Sequence, residues 1–126
     1  MVSFIATTLA ALCLALASSA APTEAEVHAT SAHSGSVTWY NPGLGACGNT
    51  NSDGELVCAV SHSLYDREPP CGRKIRVNYQ GRSAVMTVVD RCAGCAENDL
   101  DLSPAAFRAA IGDLDIGRTT ATWDWA

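Results

Sequence analysis

Short runs of alternating apolar and polar residues, separated by Gly, Pro and Asn, cover most of the chain after residue 35. This pattern is typical of a small β-barrel or β-sandwich. It predicts five strands, at Ser36–Tyr40, Leu56–Val60, Lys74–Tyr79, Ser83–Val89 and Arg118–Trp125. Gln80-Gly81 lies between the third and fourth of these, and such a pair favours a tight hairpin.

Helical periodicity is found in one stretch near the C-terminus. Ser103 is a good N-cap and Pro104 suits the first helical position. The residues from Ala105 to Ile111 are mostly good helix formers, and Gly112 ends the run. We therefore expect one short helix before the last strand.

The two ends of the chain differ in character. An almost wholly apolar run, Phe4–Ala17, leads into small residues up to Ala21. It is too short to span a bilayer comfortably, and it predicts a signal peptide over residues 1–21. Residues 22–34 show neither period and are predicted to be a linker or propeptide. The folded domain is then expected at residues 35–126, in a secreted, extracellular protein.

Five cysteines follow the predicted signal peptide: Cys47, Cys58, Cys71, Cys92 and Cys95. An oxidising compartment permits two bridges and leaves one thiol over, but the sequence does not pair them. Cys92-Ala-Gly-Cys95 lacks the second ligand pair of a zinc site and the βαβ context of a redox motif. The net charge of −5 argues against nucleic acid or an anionic membrane as a partner. We expect no metal and no cofactor.

Two carboxylates stand at the ends of the segment that joins the fourth predicted strand to the helix. Asp90 directly follows the apolar strand, and Asp101 precedes the helix. Partial burial or a like-charged neighbour would raise the pKa of such a group, which makes Asp101 a candidate proton donor. The alternative for Asp90 is a structural carboxylate that bonds a hydroxyl or loop amides.

Four separated motifs resemble the domain shared by expansins, bacterial rare-lipoprotein-A-type proteins and fungal loosenins. They are Gly35–Gly48, Pro70–Gly72, Val88–Cys92 and Leu100–Phe107. The resemblance covers nearly all of residues 35–125. It implies an all-β fold, a six-stranded double-psi β-barrel with one or two short helices and disulfide bonds, and thus one strand more than the pattern predicts.

The resemblance also implies a glycan-binding groove lined by Thr38, Tyr40, Asp90 and Asp101. Asp101 matches the general acid of related hydrolases, so it is the one candidate catalytic residue. Asp90 is implied to be a structural partner of the first-strand threonine. Arg91 is a further candidate for hydrogen bonding to a sugar, although a surface ion pair is the commoner role of such a residue.

Related hydrolases use a second carboxylate on the first strand, where this chain has Asn41 or Pro42. Inverting hydrolysis needs an acid for the leaving oxygen and a separate carboxylate to activate water. Asn cannot act as that base, so we expect no hydrolysis. A lytic transglycosylase needs one acid/base residue, so Asp101 leaves that reaction open for a peptidoglycan-type glycan.

The disulfide pattern follows from the same resemblance. By likeness to expansins, Cys47 is expected to bridge Cys71, and this leaves Cys92–Cys95 as the second bond. Cys58 departs from the family pattern. It is either the free thiol or a competitor for Cys92.

The sequence thus predicts a monomeric, non-hydrolytic polysaccharide-binding protein that loosens the cell wall by binding cellulose, chitin or a peptidoglycan-type glycan. The loosenin branch is the expected one, because the second, carbohydrate-binding domain of plant and bacterial expansins has no counterpart here. An alternative is a cysteine-protease inhibitor, or a barwin- or kiwellin-like defence or effector protein. Its partner would be a secreted protease or a host protein, contacted through the loops Asn41–Asp53 and Ser63–Pro70. A third alternative is a glycan lyase or an oxidase, although no Gly-rich nucleotide loop or redox metal set supports an oxidase.

Overall fold

The computed structural model describes residues 32–126, and these form a closed six-stranded barrel. The predicted signal peptide and most of the predicted linker lie outside the described residues. The strands are β1 (His33–Trp39), β2 (Val57–Ser61), β3 (Lys74–Tyr79), β4 (Arg82–Cys92), β5 (Leu100–Leu102) and β6 (Arg118–Trp125). The helices are α1 (His62–Arg67) and α2 (Pro104–Ala110), and a 3₁₀ helix spans Leu114–Ile116. The predicted all-β fold with six strands and short helices is confirmed.

The strands follow one another around the barrel in the order β1-β5-β2-β4-β3-β6. β1 pairs in parallel with β5, and β2 in parallel with β4, whereas the other neighbours are antiparallel. Closure of the sheet leaves none of these strands with an unpaired edge. Fully buried large side chains fill the interior, among them Trp123, Phe107, Ile75, Met86, Leu100 and Leu102.

Where the apolar pattern is regular, the predicted elements are confirmed. The bounds of β3 and β6 are those expected, and β3 alternates with Ile75 and Val77 buried. Gln80 and Gly81 have φ angles of 45° and 79° in the tight turn between β3 and β4, as a two-residue hairpin of this kind requires. At α2 the hydroxyl of Ser103 accepts a hydrogen bond from the backbone N–H of Ala106, so the predicted N-cap is confirmed.

The pattern missed two elements, β5 and α1, and misplaced several strand boundaries; β4, expected at Ser83–Val89, spans Arg82–Cys92. β5 has three residues, which is too few to show a period. α1 lies in a segment expected to be a loop, and it begins where the hydroxyl of Ser61 caps the N–H of Leu64. β1 begins at His33 rather than Ser36, because His33 and Ser34 already pair with β6.

Both expected disulfides are present. Cys47 is bonded to Cys71 and Cys92 to Cys95, while Cys58 is the free cysteine among residues 32–126 and is fully buried. The first bridge ties the loop after β1 to the segment before β3, and the second closes a short loop after β4. In the part of the chain that the structure describes, no helix is long and apolar enough to cross a membrane.

Candidate functional site

The register of the strands brings several polar residues into one row across the barrel. Ala59 on β2 lies opposite Asp90 on β4 and also opposite Asp101 on β5. Asp101 lies opposite Thr38 on β1, and Thr38 lies opposite Arg118 on β6. Because neighbouring strands are about 4.8 Å apart, the Cα atoms of the two aspartates are separated by roughly 10 Å. The row faces outward, since the neighbours of Asp101 along β5 are buried in the core.

A β-bulge decides which residue of β4 joins this row. The register of β2 with β4 passes from Cys58–Val88 directly to Ala59–Asp90, so Val89 has no partner on β2. In a regular ladder Val89 would lie opposite Ala59, and Asp90 would point to the other face. The bulge therefore turns the carboxylate of Asp90 toward the side of the sheet that carries Asp101.

Asp101 is half-buried and hydrogen-bonded within the row. The hydroxyl of Thr38 donates a hydrogen bond of 2.9 Å to its Oδ1. Burial raises the pKa of Asp101 and the negative charge of Asp90 raises it further, while the Thr38 hydrogen bond and the positive charge of Arg118 oppose the rise. The net direction is upward, so Asp101 holds a proton at a higher pH than an ordinary aspartate does.

The implied partnership of Thr38 with Asp90 is wrong. Thr38 bonds Asp101 instead, because β1 neighbours β5 in the barrel and not β4. Asp90 holds loop backbone: its Oδ1 accepts hydrogen bonds of 2.8 Å from the N–H groups of Ala46 and Arg91. These contacts with loop amides are those expected of a structural carboxylate.

Tyr40, which directly follows β1, contacts Asp90 in the row. Its hydroxyl donates to Oδ2 of Asp90 at 3.5 Å, although β5 and β2 lie between β1 and β4. Burial raises the pKa of the Tyr40 phenol, and the charges of Asp90 and Asp101 add to that effect. The phenol therefore stays protonated and keeps the proton that it donates to Asp90.

Arg91 is turned away from the other candidate residues. Its guanidinium donates two hydrogen bonds, of 2.9 and 2.8 Å, to the carboxylate of Asp66 on α1. Both side chains are exposed, and the pair lowers the pKa of Asp66. The structure thus shows for Arg91 the surface ion pair that is the commoner role of such a residue.

A polar pocket of about 210 Å³ opens beside Asp101. It is lined by Ser36, Thr38, Cys92, Gly94, Cys95, Asp99, Asp101 and Arg118. Tyr40 and Asp90 are not among its lining residues, so they lie along the row outside the pocket. A larger depression, of about 620 Å³, lies between Arg82, Arg108 and Asp115 and contains none of the predicted site residues.

Sequence reasoning missed Ser36, Asp99 and Arg118. Asp99 accepts a hydrogen bond from the N–H of Ser36 at 2.9 Å and one from the N–H of Ala96 at 3.0 Å, so it holds the loop after β4 against β1. Arg118 donates to the hydroxyl of Ser36 at 3.3 Å. Nothing local in the sequence marks Arg118, because only the pairing of β6 with β1 brings it to the pocket. Within residues 32–126, no three His, Cys, Asp or Glu side chains are grouped so as to hold a metal ion.

Comparison with known proteins gives a family and several relatives. The model of the double-psi β-barrel family described as lytic transglycolase matches residues 32–121. A homolog of allergen Asp f 7 from Arthroderma benhamiae is 38% identical over 82 residues, which is 61% of this chain and 28% of that protein. The chain also matches only 36% to 59% of the length of three ripening-related proteins from rice.

Two further relatives bear on function. A papain inhibitor from Streptomyces mobaraensis is 30% identical over 97% of this chain and 91% of its own length. The solved structure of a Streptomyces papain inhibitor has a TM-score of 0.68 over 75% of this chain and 94% of that one. An expansin variant from Clavibacter michiganensis, solved in complex with cellohexaose, has a TM-score of 0.68 at 27% identity, over 75% of this chain and 50% of that one. The matched family, the closed barrel and these relatives show that the chain belongs to the double-psi β-barrel family, in its barwin-like and expansin-like group.

Proposed function

We propose that this protein is a secreted polysaccharide-binding protein that binds a cell-wall glycan along the outward row without hydrolysing it. The observation that carries the proposal is the hydrogen-bonded pair Thr38–Asp101 at a polar pocket, in line with Asp90 and the ring of Tyr40. The expansin solved with cellohexaose supports a glycan as the ligand of this fold. The two disulfides fit an oxidising, extracellular environment.

Pyranose rings offer apolar faces to an aromatic ring and equatorial hydroxyls to polar groups. Tyr40 supplies a half-buried ring, and Asp101 supplies a carboxylate within the adjoining pocket. Roughly 10 Å of strand spacing separates Asp90 from Asp101, so the row is long enough to contact more than one sugar unit. Arg91 is left out of the proposed site, because its guanidinium is paired with Asp66.

Absence of hydrolysis follows from what the carboxylates already bind. The raised pKa of Asp101 suits a proton donor, but inverting hydrolysis also needs a free carboxylate to activate water. The Oδ1 of Asp90 already accepts two backbone N–H groups and its Oδ2 accepts the Tyr40 hydroxyl, so Asp90 is not a free base. The place of the family's second carboxylate is taken by Asn41 or Pro42, neither of which can act as the base, and the Asn41 amide donates to Asp53. We therefore propose binding, with Asp101 as the anchor inside the pocket.

The test is retention of the full chain on insoluble cellulose, chitin and peptidoglycan, comparing wild type with Asp101→Asn. Asp115→Asn, which changes an exposed carboxylate on the 3₁₀ helix, is the matched control. We expect Asp101→Asn to lose retention on at least one polymer and Asp115→Asn to keep it. Equal retention of all three proteins would refute the site, and sugar release from soluble oligosaccharides would refute the non-hydrolytic mechanism.

A second candidate function is inhibition of a papain-type cysteine protease. The observation that favours it is the likeness to the Streptomyces mobaraensis papain inhibitor, which extends over nearly the whole of both chains. The expansin match, by contrast, covers half of the expansin chain. Inhibition of papain by the purified protein tests this candidate, independently of glycan binding.

A further inference from the structure

We propose that the loop Gly43–Asn51, here called the Leu44 loop, is the protease-contacting surface of this protein, with Leu44 as the side chain that enters an apolar subsite of a papain-type cleft. This inference rests on the second candidate function. It assigns that function to a surface separate from the pocket at Asp101.

The Leu44 loop is held in one conformation by contacts along its length. Leu44 and Thr50 form an isolated β-bridge, and the N–H of Asn51 donates to the carbonyl of Gly43 at 3.0 Å. Inside this bridge the N–H of Gly45 donates to the carbonyl of Asn49 at 3.0 Å. The loop is therefore a small β-hairpin rather than a free connection.

Three further contacts fasten this hairpin to the barrel. Cys47 is disulfide-bonded to Cys71, and its N–H donates to the carbonyl of Val89 at 3.2 Å. The N–H of Ala46 donates to the carboxylate of Asp90 at 2.8 Å. A loop fixed in this way loses little conformational entropy when a partner binds it, which is how rigid inhibitors gain affinity.

Leu44 is the most exposed large apolar side chain of the described residues. It is 76% exposed, against 46% for Leu56 and 44% for Ile116. A single exposed leucine is ordinary on a protein surface, but this one stands on a rigid, braced hairpin. An apolar side chain presented by a fixed loop is the geometry of an anchor that fills a partner's pocket.

The Cys47–Cys71 bridge also links the Leu44 loop to the second expected contact segment. Cys71 follows α1 closely along the chain, and the hydroxyl of Tyr65 on α1 lies 3.5 Å from its Sγ. The two segments expected to contact a protein partner, Asn41–Asp53 and Ser63–Pro70, are thus joined covalently through the residue that follows the second of them. A protease cleft, which contacts an inhibitor at more than one loop, fits such a surface.

The experiment measures inhibition of papain with a fluorogenic peptide substrate by wild type, Leu44→Ala, Leu44→Met and Ile116→Ala. Leu44→Ala removes the side chain that the complex with papain would bury, so the inhibition constant should rise about 10- to 100-fold. Leu44→Met keeps the volume and apolar character and is expected to stay within about threefold of wild type. Ile116→Ala removes an exposed apolar side chain outside the loop and is expected to change nothing. Thermal unfolding of each variant checks that the fold is kept.

The outcomes separate the inference from the function on which it rests. If wild type inhibits papain and Leu44→Ala inhibits equally well, the assignment to the Leu44 loop is refuted and the inhibitor function stands. If wild type does not inhibit papain, both are refuted, while retention on glycan remains a separate result. If Leu44→Ala instead abolishes self-association of the protein and leaves inhibition of papain unchanged, the loop contacts a second copy and the proposal is wrong.

Discussion

Replacement of Gly45 by alanine is expected to destabilise the protein strongly, because the space for a Cβ atom is already occupied. That atom would overlap the carbonyl oxygen of Val89 and lie 3.3 Å from Cγ of Asp90. The Val89 carbonyl cannot yield easily, since it belongs to β4 and accepts the N–H of Cys47. The hairpin must therefore move away from the barrel.

The cost follows from the hydrogen bonds that this movement breaks. Loss of the bond from Cys47 to the Val89 carbonyl costs about 1 kcal/mol, and loss of the charge-assisted bond from Ala46 to Asp90 costs about 1.5–3 kcal/mol. Gly45→Ala should then lower the free energy of unfolding by about 2.5–4 kcal/mol. For a domain of this size the melting temperature should fall by at least about 10 °C.

Gly43→Ala is the matched control within the same hairpin. A Cβ atom there meets no heavy atom within 4 Å, so this change should be neutral or should stabilise by about 0.4–1 kcal/mol through the unfolded chain. Urea unfolding under non-reducing conditions measures both variants with the disulfides intact. If the two differ by less than about 0.5 kcal/mol, the close contact of Gly45 with Val89 is not a feature of the folded protein.

Two further predictions concern the row itself. Because burial raises the pKa of Asp101, the folded state holds this proton more tightly than the unfolded chain, and wild type loses stability as pH rises from the ordinary aspartate value through the folded one. Asp101→Asn lacks this loss. Between pH 3 and pH 7 its free energy of unfolding, measured with urea, should therefore change in its favour relative to that of wild type. Parallel pH profiles of the two proteins would show that Asp101 is not desolvated. Tyr40→Phe keeps the ring and should bind glycan nearly as wild type does, whereas Tyr40→Ala should lose about tenfold in affinity, or about 1.4 kcal/mol, in a depletion isotherm. Equal loss in both variants would mean that the hydroxyl, and not the ring, makes the contact.

The sequence alone determined those elements whose side chains alternate over enough residues. β3 and β6 have the predicted bounds, and α2 starts at the predicted cap. β5 and α1 were missed, because three residues show no period and because six residues after a buried strand look like a loop. The resemblance supplied the sixth strand and the disulfide pairs, which periodicity does not contain.

The sequence predicted which residues form the site better than it predicted their contacts. Asp90 and Asp101 were marked by their positions after apolar or motif segments, and the structure places them in one outward row. Their partners were not predictable, because each depends on which strands are neighbours. Thr38 bonds Asp101 rather than Asp90, and Arg118 reaches the pocket from the far end of the chain.

The sequence by itself therefore determined which elements and side chains are present: an apolar barrel interior, a hairpin turn, a capped helix and two carboxylates. Tertiary structure decided their use. Val89, which has no partner on β2, turns Asp90 to the side of Asp101. The order of the strands decides which side chains are neighbours of each aspartate. The physical reason is that a strand's pattern fixes which face a side chain takes, whereas register and bulges, set by contacts distant in sequence, fix what that face meets.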